Sequence, residues 1–210
     1  MSSLSLSIRA KLDATERTHT MTDYYQKNYQ AYHEKTCAID PSSFLESLAE
    51  RLSPEAFILD AGCGSGRDLI WLKQRGFEVF GMERSPGLAQ LARENAGCEV
   101  IEDDFETYDF SFMEVDAIVL AGALVHIPPD RFSAVFKNIT SALTRHGIVL
   151  VILKEGQGTR MGSDGRTFYL WQDQAARKLF DELGFTVRSF SKSVSKTGAG
   201  DMWLAYVLQK

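Results

Sequence analysis

The sequence predicts an α/β fold, a doubly wound and mostly parallel sheet that closes with an antiparallel hairpin. Three observations predict it. Short apolar runs of strand length alternate with stretches whose apolar residues recur at helical spacing. The first run ends at Asp60 and passes through Gly62, Gly64 and Gly66 straight into a helical pattern, so it reads as strand, tight turn, helix. The last two runs are joined only by Lys192 to Gly200, too short for a crossover helix, and must pair antiparallel.

Residues Met1 to Thr20 are rich in Ser and Thr, with Arg9 and Lys11 ahead of the first acid, Asp13. Their apolar face is short and Glu16 soon follows, so a disordered leader is expected rather than a transit peptide. Met21 is a second plausible start, and residues 21–210 are expected to form one domain. From Tyr24 the spacing places Tyr25, Tyr29 and Tyr32 near one helical face. That face is either an aromatic stripe packed on the domain or a lid over a ligand pocket. Asp40-Pro41 is a helix start, with Phe44, Leu45, Leu48 and Leu52 on the buried side.

After the glycine turn, Phe77 to Met82 is a second strand ending at Glu83, and Ser85-Pro86 caps a helix that buries Leu88, Leu91 and Ala92. Glu99 to Ile101 is a short third strand followed by Glu102, Asp103 and Asp104, and Val115 to Ala121 is the fourth. Pro128-Pro129 breaks the chain. Phe132, Val135, Phe136, Ile139 and Leu143 then mark a helix that Gly147 is expected to end. Ile148 to Leu153 is a fifth strand, apolar throughout as a strand covered on both faces should be. Lys154 to Tyr169 reads as a long polar loop. A helix carrying Ala176, Leu179, Phe180 and Leu183 stops at Gly184, before strands at Phe185 to Phe190 and Met202 to Leu208.

The formal charge of −5 argues against nucleic acid as the main partner, since such binding rests on a basic face. No apolar run approaches the ~20 residues that span a bilayer. Cys37, Cys63 and Cys98 are odd in number and lack C-x-x-C spacing, which suggests neither a disulfide framework nor a zinc site and fits a reducing cytoplasm. No metal is expected.

The glycine turn brings backbone N–H groups and a helix N-terminus close to a small, partly anionic ligand. It is neither a dinucleotide fingerprint, because Arg67 stands where the last glycine would fall, nor a P-loop, because no Gly-Lys-Ser/Thr follows. The stretch Ile-Leu-Asp-Ala-Gly-Cys-Gly-Ser-Gly-Arg-Asp, Ile58 to Asp68, resembles motif I of the class I S-adenosylmethionine (SAM) dependent methyltransferases. Gly64-Ser65-Gly66-Arg67-Asp68, Asp164-Gly165-Arg166 with Phe168, and Asp201-Met202-Trp203-Leu204 resemble a bacterial subset similar to the TehB-type enzymes. The resemblance runs from about Tyr24 to the C-terminus and implies a Rossmann-like, seven-stranded sheet.

It also implies a cofactor, SAM, leaving as S-adenosylhomocysteine (SAH), and a small-molecule acceptor. Asp60 with Gly62, Cys63, Gly64 and Arg67 would serve the methionine part, and Tyr25 would reach its carboxylate. Glu83, with Arg84 beside it, would accept the ribose hydroxyls. Asp103 or Asp104 would accept the adenine amino group, with Phe105 against the ring; the family pattern favours Asp104, a neighbour-by-neighbour shift Asp103. Ala121 and Gly122 would pass under the methionine. His126 is the candidate general base, or a fixture that hydrogen-bonds the loop. Tyr29, Tyr32, His126, Arg160, Arg166 and Tyr169 are the expected acceptor-pocket residues, with Arg166 on an anionic acceptor, on the SAM carboxylate or in a surface ion pair. The segment after the fourth strand lacks Asn/Asp-Pro-Pro-Tyr, which argues against methylation of planar amide or adenine nitrogens. Alternatives are a catalytically silent SAM-binding subunit and a methyltransferase acting on RNA or protein.

Overall fold

A computed structural model describes residues 24–196 and 200–210. The expected leader, residues 1–20, lies outside them. A helical turn at 24–27 leads into α1 (Tyr29–Thr36), followed by α2 (Ser42–Ala49), β1 (Phe57–Ala61), α3 (Arg67–Lys73), β2 (Glu78–Met82), α4 (Pro86–Ala96), β3 (Val100–Ile101) and β4 (Val115–Ala121). Then come α5 (Pro129–Ile139), β5 (Leu143–Lys154), β6 (Gly158–Met161), β7 (Thr167–Leu170), α6 (Asp173–Glu182), β8 (Thr186–Val194) and β9 (Met202–Gln209). One seven-stranded sheet runs in the order β3-β2-β1-β4-β5-β9-β8, and β6 pairs with β7 alone. Strands β1 to β5 are mutually parallel where they pair; β9 is antiparallel to both β5 and β8. The chain order reverses between β1 and β4, which is where an open sheet of this kind leaves a crevice beyond its carboxyl ends.

Period-two alternation sends the central strands' side chains to both faces. Leu59, Ile118, Leu120, Val149 and Val151 pack with Phe132, Phe136 and Ile139 of α5 and Phe180 of α6. Ile58, Ala117, Val119, Leu150 and Ile152 face the other way, onto Leu45 and Leu48 of α2 and Trp71 and Leu72 of α3. Each fully buried Leu, Ile or Phe here stabilises by about 1.5–3 kcal/mol, so the two layers fix the strand ends rigidly. Ser85 caps α4 with its Oγ accepting from the Leu88 N–H, and Pro86 opens the helix, as the sequence predicts.

Four local expectations are corrected. Helix α5 ends at Ile139 in a tight turn over Thr140–Ala142, so Leu143 belongs to β5 and Gly147 terminates no helix. The register between β4 and β5 jumps from Val115↔Leu143 to Ala117↔Ile148, and the polar residues in between bulge outward. Lys154 to Tyr169 is not a structureless loop. It folds as the β6–β7 hairpin, pairing Gly158↔Leu170 through Met161↔Thr167, and is rooted on the end of β5 by the Trp171 N–H to the Lys154 carbonyl. Pro41 is the cap of α2 rather than its first residue, and the Asp40 carboxylate accepts from the Ser42 N–H at 3.0 Å. Among the described residues no helix is long and apolar enough to cross a membrane.

Candidate functional site

The turn after β1 is held by backbone. The N–H groups of Gly62 and Cys63 both donate to the Met82 carbonyl, at 2.8 and 3.1 Å, so the turn folds over the end of β2. Gly62 has φ +83°, and a Cβ there would stand 2.8 Å from that of Ala123; Gly66 has φ +88° and sits against the Ala92 backbone. Both conditions demand glycine. Cys63 turns its thiol down onto Gly81, so only its backbone faces the crevice.

Glu83 lies directly beneath the turn. Its Oε2 accepts the Gly64 N–H at 3.0 Å and its Oε1 the Ser85 N–H at 2.9 Å. Burial pushes the carboxyl up, opposed by those two bonds. Each oxygen keeps acceptor capacity for a further donor. Asp60 is 1% exposed, and its Oδ2 has no hydrogen-bond partner among the described residues. Burial, then the charge of nearby Asp68, pushes its carboxyl well above the ordinary range. Arg67 is turned onto Asp68 in a two-bond pair at 2.6 and 2.9 Å.

The end of β4 carries the second set. His126, in a tight turn over Leu124–His126, holds its Nδ1 2.6 Å from the Thr167 carbonyl and its Nε2 3.0 Å from the Tyr25 hydroxyl. A carbonyl only accepts, so Nδ1 carries the proton and Nε2 accepts from Tyr25. Burial pushes the imidazole down to about 4, and it is neutral near pH 7. Arg166 donates to the same Tyr25 oxygen at 3.1 Å and clamps Asp164 through Nε and NH2, at 3.0 and 2.7 Å. Partial burial pushes Asp164 up, but the Arg166 bonds outweigh it and hold the carboxyl at about 2. Tyr24 closes this clasp, its hydroxyl 3.3 Å from Asp164 and its ring 4.6 Å from the guanidinium.

Two cavities meet between these sets. The first, ≈ 70 Å³, is lined by Tyr25, Tyr32, Gly62, Gly64, Glu83, Arg84, Leu88, Phe105, Glu106, Ala121, Gly122, Ala123, His126 and Ile127. The second, ≈ 610 Å³, shares Tyr25, Tyr32, Ala121, Gly122 and His126 and extends past Arg67, Lys154, Arg160, Arg166, Phe168 and Trp203. The first is smaller than a nucleoside requires, so seating one means that the tyrosines of the N-terminal segment give way.

Several expected residues lie elsewhere. Tyr29 lines neither cavity: the helix is interrupted at Asn28, and the ring lies over Gly87, where a Cβ would meet it at 2.6 Å. Tyr169 is buried in β7 away from both cavities, because strand alternation gives the cavity side to Phe168. Neither Asp103 nor Asp104 lines the first cavity. Asp103 is exposed and accepts the Asp104 N–H, while Asp104 is taken up by Arg84 at 3.1 Å and the Glu106 N–H at 2.9 Å. Asp60 and Cys63 sit behind the wall, and Arg67 lines the second cavity rather than the first.

The sequence reading missed Gln26, whose Oε1 accepts from the Ser85 hydroxyl and the Gly87 N–H, and His33, 2.9 Å from Ser65 Oγ. These dock the N-terminal segment on the glycine turn. No local pattern announces them.

Residues 58–147 match the family described as "Methyltransferase domain". Carboxy-S-adenosyl-L-methionine synthase of Helicobacter pylori is 27% identical over 141 residues, 63% of this chain and 57% of that protein. The chain thus spans little more than half the length of that relative. Magnesium-protoporphyrin O-methyltransferase of Synechocystis is 27% identical over 79% of this chain and 76% of its own. In fold, the chain is similar to a Burkholderia thailandensis 1,6-didemethyltoxoflavin-N1-methyltransferase crystallised with its acceptor and SAH (TM-score 0.74, 21% identity, 96% of this chain and 89% of that one). It is also similar to a TehB-like methyltransferase from Corynebacterium glutamicum (TM-score 0.62, 19% identity, 91% and 98%).

Proposed function

We propose that this chain, whose residues 58–147 match the methyltransferase-domain family, is a class I SAM-dependent enzyme that transfers a methyl group from SAM to a small-molecule acceptor, leaving SAH. The observation that carries this reading is the meeting of two cavities at Tyr25, Gly122 and His126, with the glycine turn and buried Glu83 on one side and a larger, separately walled space on the other.

When bound, SAM supplies an electrophilic methyl whose transfer is an in-line displacement, so positioning and exclusion of water do much of the work. The chain's residues suit that donor. Glu83 has acceptor capacity left on both oxygens for a pair of neighbouring hydroxyls. Asp60, behind the cavity wall, keeps one buried oxygen unpaired among the described residues, and a positive charge near it would bring its raised carboxyl back down. Phe105, on the first cavity's wall, offers a ring face or edge for a base. The donor-holding residues are therefore Gly62, Gly64, Glu83 and Phe105, with Asp60 buried behind the turn, while Arg84, also on the cavity wall, pairs with Asp104 and Glu106.

At the junction, Tyr25 donates its only hydrogen to His126 and accepts from Arg166. One lone pair of its oxygen remains for an acceptor's proton. As the methyl bond forms, that proton is held by a hydrogen bond to the Tyr25 oxygen, which Arg166 steadies and neutral His126 orients by accepting the Tyr25 hydrogen. His126 thus acts through Tyr25. The clasp of Tyr24, Arg166 and Asp164 over the second cavity favours a small acceptor over RNA or a protein segment.

Calorimetry tests the donor: SAM and SAH should bind at micromolar affinity, and no heat at saturating SAM would overturn the reading. Incubation with methyl-labelled SAM and fractionated extract should then place label in small molecules. Label confined to RNA or protein would replace the acceptor class.

A further inference from the structure

The far wall of the second cavity is built from the end of β5 and the start of β9. Lys154 Nζ donates to Asp201 Oδ2 at 2.7 Å, and Arg160, reaching in from β6, pairs with Asp201 Oδ1. One carboxylate therefore answers two cations. Elsewhere in the cavity the buried charges cancel pairwise: Arg166 is matched by Asp164 and Arg67 by Asp68. Lys154, 7% exposed, shares this one carboxylate with Arg160, whose side chain is 46% exposed, so the cluster as a whole carries a surplus positive charge.

A buried ammonium that shares its one carboxylate with a second cation is incompletely compensated, and a further counter-charge of good geometry would relieve it. Burial already pushes the Lys154 ammonium down, against the Asp201 bond that pushes it up. Its other surroundings are aromatic. Nζ lies 3.7 Å from the centre of the Phe168 ring and 5.2 Å from that of Trp203, and Trp203 itself lies against Gly122 at the junction of the two cavities. Phe168 in turn is 4.9 Å, ring centre to ring centre, from His126. The cation and the Tyr25–His126 pair are separated by one aromatic ring, in a space of ≈ 610 Å³, within the range of small-molecule sites.

We propose that the acceptor is an aromatic acid, its flat apolar body against Phe168 and Trp203 and its ionised carboxylate completing the Lys154–Arg160–Asp201 cluster. The proposal rests on the methyltransferase reading for what happens at the junction, but not for the anion pocket itself. A simple strand clamp, with Lys154 and Arg160 only tying β5 and β6 to β9, would hold Asp201 equally well but would show no preference for an anionic ligand.

The test is calorimetric titration of the full chain with 2-naphthoate, its neutral isostere 2-naphthamide, and the saturated decalin-2-carboxylate, each with and without saturating SAH. Naphthoate is expected to bind at least about tenfold tighter than the amide, as a charge-assisted bond in a partly desolvated pocket should give, and tighter than the decalin acid. Lys154→Met should abolish the preference for the anion. Arg160→Gln, at a more exposed position that tolerates change, should weaken naphthoate several-fold with SAH affinity unaltered. Equal binding of acid and amide, a preference that survives Lys154→Met, or no naphthoate binding to protein that takes up SAH would overturn the proposal. Failure of SAH to bind would remove the donor reading instead, and the arm without SAH would still decide the anion pocket.

Discussion

The two halves of the site are built by different means. The half proposed to hold the donor, within residues 58–147, is made from backbone: a glycine turn bonded to the end of β2, and Glu83 anchored by the N–H groups of Gly64 and Ser85. The acceptor half is made from side chains that meet across long stretches of chain, Tyr24 with Asp164, Tyr25 with Arg166 and His126, and Lys154 with Asp201. A backbone cradle changes little when outward residues are exchanged. A side-chain clasp can be rebuilt one residue at a time. The family match stops at 147, before the β6–β7 hairpin and β9 that complete the second cavity.

The sharpest way to break this division is Tyr25→Phe, which removes one hydroxyl from the junction. Turnover of whichever extract fraction takes up label should fall by roughly 10²–10⁴, with SAH affinity nearly unchanged by calorimetry. A parallel loss of SAH binding would mean that Tyr25 belongs to the donor half.

Next in size is the pH dependence of stability. His126 is held near 4, below the ordinary imidazole range. The unfolded chain therefore takes up a proton first as pH falls. Stability contributed by neutral, buried His126 is complete above about pH 6.5 and is lost as pH drops towards 4, by at most about 3 kcal/mol. Denaturant midpoints across that window should show the loss in the wild type and flatten in His126→Gln; coincident curves would disprove it.

Glu83→Gln attacks the other half. Losing a charged acceptor for the ribose hydroxyls should weaken SAM roughly tenfold to a hundredfold, while 2-naphthoate binding measured without SAH stays as it was. A matching loss of naphthoate affinity would show that the halves are not separable. The smallest effect is expected from Gly87→Ala, whose Cβ would stand 2.6 Å from the Tyr29 ring. It should cost about 1–3 kcal/mol and raise amide exchange in residues 24–36 above that in β1 and β4. Unchanged exchange there would mean that the segment docks independently of Tyr29.

Legibility in the sequence follows the same line. The seven-stranded sheet, the glycine turn and Glu83 were readable because each is encoded locally, by alternation, by spacing and by an acid at a strand end. Gly147 misled because the polar residues after Leu143 bulge within a strand, which depends on how β5 registers against β4. The Lys154 to Tyr169 stretch read as loop because its hairpin is short and exposed along β6, leaving no apolar alternation to see. Tyr29 and Tyr169 carried the right chemistry on the wrong side: a helix break at Asn28 and the two-residue period of β7 turned them from the cavities. Gln26 and His33 bear no pattern at all, since their partners stand about sixty and thirty residues away.

By itself, then, the sequence determined the sheet and the glycine turn, because strand alternation, helical spacing and glycine conformation act within a few residues of chain. Only the tertiary structure decided which ring nitrogen of His126 carries the proton, that Tyr25 bridges it to Arg166, and that Lys154 and Arg160 share a single carboxylate. Those outcomes depend on which side chains β4, β6, β7, β9 and the N-terminal segment bring together, and hydrogen-bond direction and charge balance are properties of that meeting rather than of any segment alone.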